Sequence, residues 1–270
     1  MYDISGSIVT YNTNEDMLWQ AIQSFLDIEL RTKLIIIDNS PDDKLKYFAQ
    51  KHNIEYIFNE KNIGYGAAHN IAIRKFLNRS KYHIVFNPDT YWTKGTVEKI
   101  FSYLQANNDV GHLMPKILYP NGELQYLCKL LPHPSDLIFR RFLPKTKSLS
   151  RKNENFELRF TEYNKIMNVP YLSGCFMFFR MNALKKIGLF DERFFMYPED
   201  IDITRRIHKY YKTIFYPEAV VYHNHAKESY KSKKLLWIHI TNMIKYFNKW
   251  GWIIDKDRDK INHNVLKSLK

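Results

Sequence analysis

The strongest constraint on this chain is the alternation, through its first hundred or so residues, of short β-branched runs with runs of helical periodicity. Residues 5–11 (SGSIVTY), 33–37, 55–58 and 82–86 read as strands: short, apolar, rich in Ile, Val and aromatics, and closed by turn-forming residues. Between and after them, Met17, Leu18, Ala21, Ile22 and Phe25 recur at helical spacing, and 42–52, 67–77 and 94–106 read as further helices. Asn12, Thr13 or Asn14 can cap the first helix, with Glu15 and Asp16 in its first turn. Strands alternating with helices predict an α/β fold, a Rossmann-like and mostly parallel sheet flanked by helices. Such sheets bind ligands outside the carboxyl ends of their strands. That rule gathers Thr10, Tyr11 and Asn12, then Asp38 and Asn39, then Asn87 and Asp89 along one edge. Helix capping accounts for each polar end singly, but less well for all three together.

The turn Asn87-Pro88-Asp89-Thr90 carries one carboxylate where the fourth strand runs out, a place where Asp89 can coordinate a divalent cation carrying phosphates. The same residues also make an ordinary turn. Gly64 and Gly66 precede a helix and permit close backbone approach to a phosphate. A dinucleotide fingerprint would follow the first strand and carry a third glycine; here His69 or Asn70 stands in its place, which disfavours a dehydrogenase.

From residue 111 the character changes. Residues 111–119, the turn 119–122 and 123–127 predict a β-hairpin, and 131–165 a basic, proline-punctuated mobile excursion. Residues 169–180 are sheet-like with a break at Ser173-Gly174, and a helix over 181–187 ends at Gly188. Residues 190–202 concentrate Asp191, Glu199, Asp200 and Asp202 beside a run of aromatics. Pro198 with acids behind it is also a normal helix start. The aromatic flank does more than a start requires, since rings that exclude water raise a carboxylate's basicity. Strands over 213–216 and 219–222 deliver His223-Asn224-His225, whose spacing lets at most one histidine face a given site. No Cys/His set of zinc spacing accompanies them.

The two cysteines, Cys128 and Cys175, cannot build a disulfide framework and suit a reducing compartment. No basic-then-apolar signal opens the sequence, and no apolar run approaches the ~20 residues that span a bilayer, so a cytosolic protein is expected. The net charge of +13 is concentrated: 140–152 holds six basic residues and no acid, and 227–270 holds eleven basic and four acidic. Nucleic acid or an anionic membrane surface would each suit such charge. The last organised stretch, 235–251, carries an apolar stripe of Leu236, Ile240, Met243, Ile244, Phe247 and Trp250, with Lys234, Lys245 and Lys249 opposite and Trp237 and Trp252 near the ends. Such a helix packs on a core or lies on a membrane surface.

The segments IVTYN (8–12), IIIDNS (35–40), NEKNIGYGAAHN (59–70), FNPDT (86–90), YLSGCFMFFR (171–180), GLFDERFFMYPEDIDITRR (188–206) and YHNHAKESYKS (222–232) occur in one order over nearly the whole chain. Together they resemble the family 2 inverting glycosyltransferases of GT-A fold, especially the rhamnosyltransferase-like branch of O-antigen and capsular polysaccharide assembly. The resemblance implies that Thr10, Tyr11, Asn12, Asp38, Asn39, Asn62, Gly64 and Asn87 line a nucleotide-sugar pocket. It implies Asp89 and His223, with His225 as the alternative, as ligands of Mg2+ or Mn2+. Asp200, paired with Glu199, would be the general base, and Gly174, Tyr197 and Asp202 would line the acceptor and donor pocket. The expected donor is dTDP-rhamnose, or else a UDP-hexose, and the acceptor a glycan on a polyprenyl diphosphate at the inner face of the cell membrane. The implied division is a GT-A domain over 1–226, with a nucleotide-sugar half (1–110) and an acceptor half (111–226), then a basic amphipathic helical extension over 227–270. The rival readings are a nucleotidyltransferase, whose glycine- and basic-rich loop is missing near the first strand, and a nucleic-acid-binding protein, supported by charge alone. A catalytically inactive relative is a third.

Overall fold

The structure, a computed structural model, describes residues 1–135, 153–224 and 233–270. His225 and the whole basic cluster over 140–152 lie outside the described residues. The amino-terminal half is built as the periodicity predicts. Strands β1 (Tyr2–Thr10), β2 (Thr32–Asp38), β3 (Glu55–Phe58) and β4 (Ser80–Phe86) alternate with helices α1 (Glu15–Leu26), α2 (Leu45–Lys51) and α3 (Tyr65–Phe76). A short β5 (Thr90–Tyr91) and α4 (Thr96–Ala106) follow. Asn14 caps α1 by accepting the Met17 amide at 3.1 Å.

The carboxyl-terminal half adds β6 (Val110–Leu118), β7 (Cys128–Lys129), β8 (Met167–Asn168), β9 (Tyr171–Leu172) and β10 (Phe176–Arg180). Helices α5 (Met181–Ile187) and α6 (Glu199–His208), strand β11 (Lys212–His223) and helices α7 (Lys233–Trp250) and α8 (Lys256–Leu269) complete it. The main sheet runs β3-β2-β1-β4-β10-β6-β11-β5, with β8 beside β11. β10 is antiparallel to both neighbours and β5 and β8 are antiparallel to β11, so six strands share one direction. The sheet is therefore mostly parallel, as expected.

Several local expectations are corrected. The hairpin over 111–127 reduces to a turn closed by Tyr119 and Glu123 and a single bridge, Leu118 to Leu124, because β6 spends its edges on β10 and β11. The two strands read from 213–222 are one, kinked by a register shift between Tyr216 and Val220 that lets it reach past the core to the strand-end face. In the stretch read as a mobile excursion, residues 136–152 are undescribed. The remainder packs: Leu158 and Tyr163 are fully buried, and the Tyr163 hydroxyl takes the Cys128 amide at 2.9 Å. The break at Ser173-Gly174 is real, separating β9, which pairs β7, from β10 in the main sheet.

The apolar stripe on α7 faces inward except at Ile244, which is 42% exposed. Met243, Tyr246 and Phe247 are buried with Leu131, Phe194 and Ile201, so this face covers the protein rather than a bilayer. Helix α8 lies within the helical extension expected over 227–270, though not singled out as a separate helix, and inserts Val265 and Leu269 into the main core. Its apolar positions are few and its first turn is dominated by Asp and Lys, leaving little periodic signal.

Candidate active site

The strand ends predicted to meet do meet, in two hydrogen-bonded groups. At the first, Asp38 is fully buried and its Oδ1 accepts from Thr10 Oγ1 (3.0 Å) and the Ser40 amide (3.0 Å). Its Oδ2 accepts from the Tyr56 hydroxyl at 2.7 Å, and burial together with Asp38 pushes the Tyr56 pKa above its ordinary range. Asp38 thus ties the ends of β1, β2 and β3 together, leaving the exposed Tyr11 and the adjoining Asn12 as the outward face. Asn12 sits at φ +49°, its amide donating to Ser40 Oγ at 2.9 Å. Asn39 accepts from Asn59 and donates to Asn62 Oδ1 and the Gly64 carbonyl, while Asn62 Oδ1 also takes the Gly64 amide. Asn59 is a site residue that spacing did not single out.

Gly64 is where the two halves meet. At φ +93° it occupies backbone space that side chains disfavour, and a Cβ there would stand 2.5 Å from the Phe195 carbonyl oxygen. A Cβ on Gly66 would press on Phe190 and come near Glu199. The glycines therefore make room for the 190–199 segment, a correction to the phosphate-approach reading. The next residue, Tyr65, joins both groups: its amide donates to the Phe195 carbonyl at 2.9 Å. Its hydroxyl lies 3.0 Å from Asn87 Oδ1 and 2.7 Å from the Gly174 carbonyl. Sequence reasoning passed over it as the variable residue between two glycines.

In the second group the Asn87 amide donates to the Cys175 carbonyl at 3.0 Å, which sets the turn before Asp89. Asp89 lines a cleft of ≈ 330 Å³ with Asp16, Gln20, Tyr91 and Asn224, and its Oδ1 stands 3.4 Å from His223 Nε2. The kink in β11 therefore brings His223, at the strand's last position, to the Asp89 turn. Gln125 fixes the ring. Its Nε2 donates to the His223 carbonyl at 2.7 Å, so its Oε1 must accept from His223 Nδ1 at 3.0 Å. That leaves Nε2, facing Asp89, as the nitrogen able to bind a metal. Burial of His223 opposes charge on the ring, but neighbouring Cys175 and Asp89 outweigh it and push its pKa up to about 10. A metal binding there would have to displace a proton. Among the described residues no three His, Cys, Asp or Glu side chains cluster as a metal site. Two protein donors, one carboxylate and one imidazole, fit a Mg2+ or Mn2+ whose other positions are filled by oxygens of a substrate.

The acidic motif at the start of α6 divides its labour. Asp200 Oδ2 accepts the Gly174 amide at 3.0 Å, and a Cβ on Gly174 would touch the Asp200 Cβ at 3.3 Å. Burial raises the Asp200 pKa to about 6, with backbone donors and Lys129 holding it from going higher. Glu199, also buried, is pushed far up by burial and by the Asp200 charge, and among the described residues its Oε2 has no hydrogen-bond partner. Tyr197 adopts φ +92°, costly for a side chain of that size, and its ring lies 4.9 Å from that of His239. Asp202 stands apart from these groups. It is fully buried and bound by Arg206 Nε (2.8 Å), Lys249 Nζ (2.6 Å) and Trp250 Nε1 (2.9 Å). Expected in the acceptor and donor pocket, Asp202 instead braces α6 against α7.

The C-terminal helices continue that brace. Asn242 accepts the Phe195 amide at 3.1 Å, Lys245 donates to the Arg193 carbonyl at 2.9 Å, and Lys249 also binds Asp191 at 2.8 Å. Arg205 and Asp255 form a buried two-point ion pair at 2.7 and 2.6 Å, with the guanidinium 4.0 Å above the Trp250 ring. The helices read as an appended extension share a core with the acidic motif and hold it in place.

Residues 7–188 match the model of glycosyl transferase family 2, which spans every strand end described above except that of β11. The chain belongs to that family. It is 26% identical to a low-salt glycan biosynthesis hexosyltransferase of Haloferax volcanii, over 99% of this chain and 81% of the relative. It is 25% identical to an N-acetylglucosaminyl-diphospho-decaprenol L-rhamnosyltransferase of Mycobacterium tuberculosis (81% and 75% covered). It is also 23% identical to the rhamnosyltransferase WbbL of Escherichia coli, over 94% and 97%. Among solved structures, Staphylococcus aureus TarS superposes with a TM-score of 0.61 at 15% identity, covering 98% of this chain and 43% of that one. GalNAc-T7 with UDP, GalNAc and Mn2+ superposes with a TM-score of 0.61 at 17% identity, covering 83% of this chain and 43% of that one. These likenesses give the fold: this family 2 glycosyltransferase has the GT-A architecture.

Proposed function

We propose that this glycosyltransferase is an inverting enzyme that moves a sugar from a nucleotide-sugar to a hydroxyl of a lipid-linked glycan, using Asp200 as general base. The observation that carries the reading is the Asp200 carboxylate, buried, held by the Gly174 amide and raised to about 6, which the Tyr65 hydroxyl links through Gly174 to Asn87. A base with that pKa is ionised at neutral pH yet basic enough to take a proton in the transition state. Asp200 removes the proton of the acceptor hydroxyl, which attacks the anomeric carbon from the face opposite the leaving diphosphate. Glu199, protonated beside it, adds no second negative charge. Tyr11, Asn12, Asn39 and Asn62 surround the nucleotide at the first group of strand ends, and Asn87 and Tyr65 shape the donor side of the turn. Asp89 and His223 would hold a Mg2+ or Mn2+, whose chemistry when bound would be to supply positive charge beside the leaving diphosphate. One displacement inverts the anomeric centre and needs no protein nucleophile.

dTDP-rhamnose is the favoured donor, supported by similarity to two rhamnosyltransferases, and the decaprenol-linked acceptor in the name of the mycobacterial relative supports a polyprenyl diphosphate acceptor. A UDP-hexose is the second reading, supported by the hexosyltransferase relative and by UDP in a structure of TarS. No helix among the described residues is long and apolar enough to cross a membrane. The lipid-linked acceptor of the reading gives the proposed place of work, peripheral on the inner face of the bacterial cell membrane. Transfer from each donor to a polyprenyl-diphosphate-linked sugar, read by NMR of the new anomeric centre, tests the reading. An inverted product that forms with the parent and not with Asp200→Asn is expected. A product of retained configuration overturns it.

A further inference from the structure

The turn between α7 and α8 holds three consecutive apolar side chains in solvent: Trp252 is 43% exposed, Ile253 89% and Ile254 79%. Trp237 and Ile244, also on α7, are 66% and 42% exposed; Ile244 is the member of the expected apolar stripe that faces solvent. Scattered exposed hydrophobics are ordinary; three exposed apolar residues in succession are not. The exposure is also built in. Gly251 turns the chain at φ +107°, its missing Cβ leaving room for the Ile254 carbonyl 2.5 Å away. Asp255, directly after Ile254, is clamped by the buried Arg205 and caps α8 through the Arg258 amide at 3.0 Å, and Arg258 also donates to the Ile253 carbonyl at 3.3 Å. The chain is thus pinned on both sides of the turn, and the isoleucines cannot fold back onto the core.

The surroundings favour negatively charged company. Residues 233–270 hold nine basic and three acidic residues. Each acid is already matched within the protein: Asp255 by Arg205, Asp257 by Lys209 at 3.1 Å, and Asp259 by His133 and Arg258, both at 3.3 Å. Lys256 and Lys260 stand exposed just beyond the turn, and Lys245 beside Ile244. An exposed apolar turn followed by exposed lysines matches the acyl boundary of a bilayer with anionic headgroups. We infer that the 252–254 turn, with Trp237 and Ile244 of α7, is the membrane-docking surface of this protein. The inference rests on the lipid-linked acceptor proposed above only for its purpose.

Co-sedimentation of the full chain with vesicles of phosphatidylglycerol and phosphatidylcholine tests it, against the double variant Ile253→Ser/Ile254→Ser. The parent is expected to bind, more weakly as salt rises, and the double variant to bind at least about tenfold more weakly. Both should melt alike and bind nucleoside diphosphate alike. Equal binding by the two proteins, or no binding by the parent, overturns the inference. So does a parent that leaves the vesicles unbound and is dimeric by light scattering while the variant is monomeric, which would assign the patch to a second copy. Vesicle binding without transfer to a lipid-linked acceptor would instead count against the proposed function alone.

Discussion

Replacing Asp200 by Asn should make the free protein more stable at neutral pH while removing its turnover. A carboxyl group whose pKa rises on folding from 3.8 to about 6 is disfavoured as an anion in the folded state. Its stabilising contribution is intact below the unfolded pKa and is lost as pH rises through about 6. At pH 8 the ionised Asp200 therefore costs the fold about 3 kcal/mol, from a shift of about two units at 1.36 kcal/mol each. Asparagine removes that cost. It also turns an NH2 toward either the Gly174 or the Ile201 amide, both of which now donate to Asp200. Losing one of those bonds costs about 1–2 kcal/mol. The net expectation is a gain of about 1–2 kcal/mol at pH 8, or roughly 2–6 °C in melting temperature for a domain near this size. At pH 4.5 the parent is largely protonated at this site and about 2 kcal/mol of the variant's advantage disappears. Differential scanning fluorimetry of the metal-free proteins at the two pH values measures the difference, and an initial-rate assay should show turnover lower by about 10²–10⁴. A variant that loses stability at pH 8 along with donor binding would make Asp200 a structural residue, and one that keeps its turnover would end its assignment as the base.

Other consequences follow from the same geometry. Parent turnover should rise with pH and level off above about 6, the Asp200 pKa; a profile flat from pH 5 to 8 would contradict the base assignment. Asp202→Asn should lose about 1.5–3 kcal/mol of stability, since it removes the buried carboxylate that Arg206 and Lys249 share and leaves Lys249 only Asp191, as urea denaturation can measure; an unchanged midpoint would refute the brace. Gln125→Leu should weaken Mn2+ binding about 10–100-fold in calorimetry by freeing the His223 ring; unchanged affinity would remove His223 as a ligand. Gly64→Ala should cost about 2–4 kcal/mol, through positive φ and the clash with Phe195; a neutral result in thermal melts would remove the close approach from the account.

Much of this was legible in the sequence because it rests on local periodicity. The four parallel strands, the polar residues at their ends and the capping of α1 need only neighbours in the chain to be specified. What was not legible depends on partners far away. Nothing near residue 64 says that Phe195 will occupy the space beside Gly64, so a contact between two halves of the fold reads locally like a phosphate loop. Asp200 and Asp202 look alike at a helix start; only the arrival of Lys249 and Trp250 from α7 separates a carboxylate near Gly174 from one that braces a helix. The stripe on α7 shows its amphipathicity but not what it covers. Gln125 sits in a segment with no periodic signal, and its role follows only from the register that brings β11 beside β6.

The central claim is that Asp89 and the strand ends around it bind a nucleotide-sugar through a divalent cation. Thermal shift of the parent and Asp89→Ala, with dTDP-rhamnose, UDP-hexoses and the free nucleoside diphosphates, each with and without Mn2+, tests it most directly. At a ligand concentration of about 100 times Kd the folded state gains about 2.7 kcal/mol, so the melting point of the parent should rise by several degrees with Mn2+ and far less without it. Asp89→Ala should lose the metal-dependent part of that rise. An equal metal-dependent shift in both proteins, or none with any nucleotide in the parent, would contradict the account.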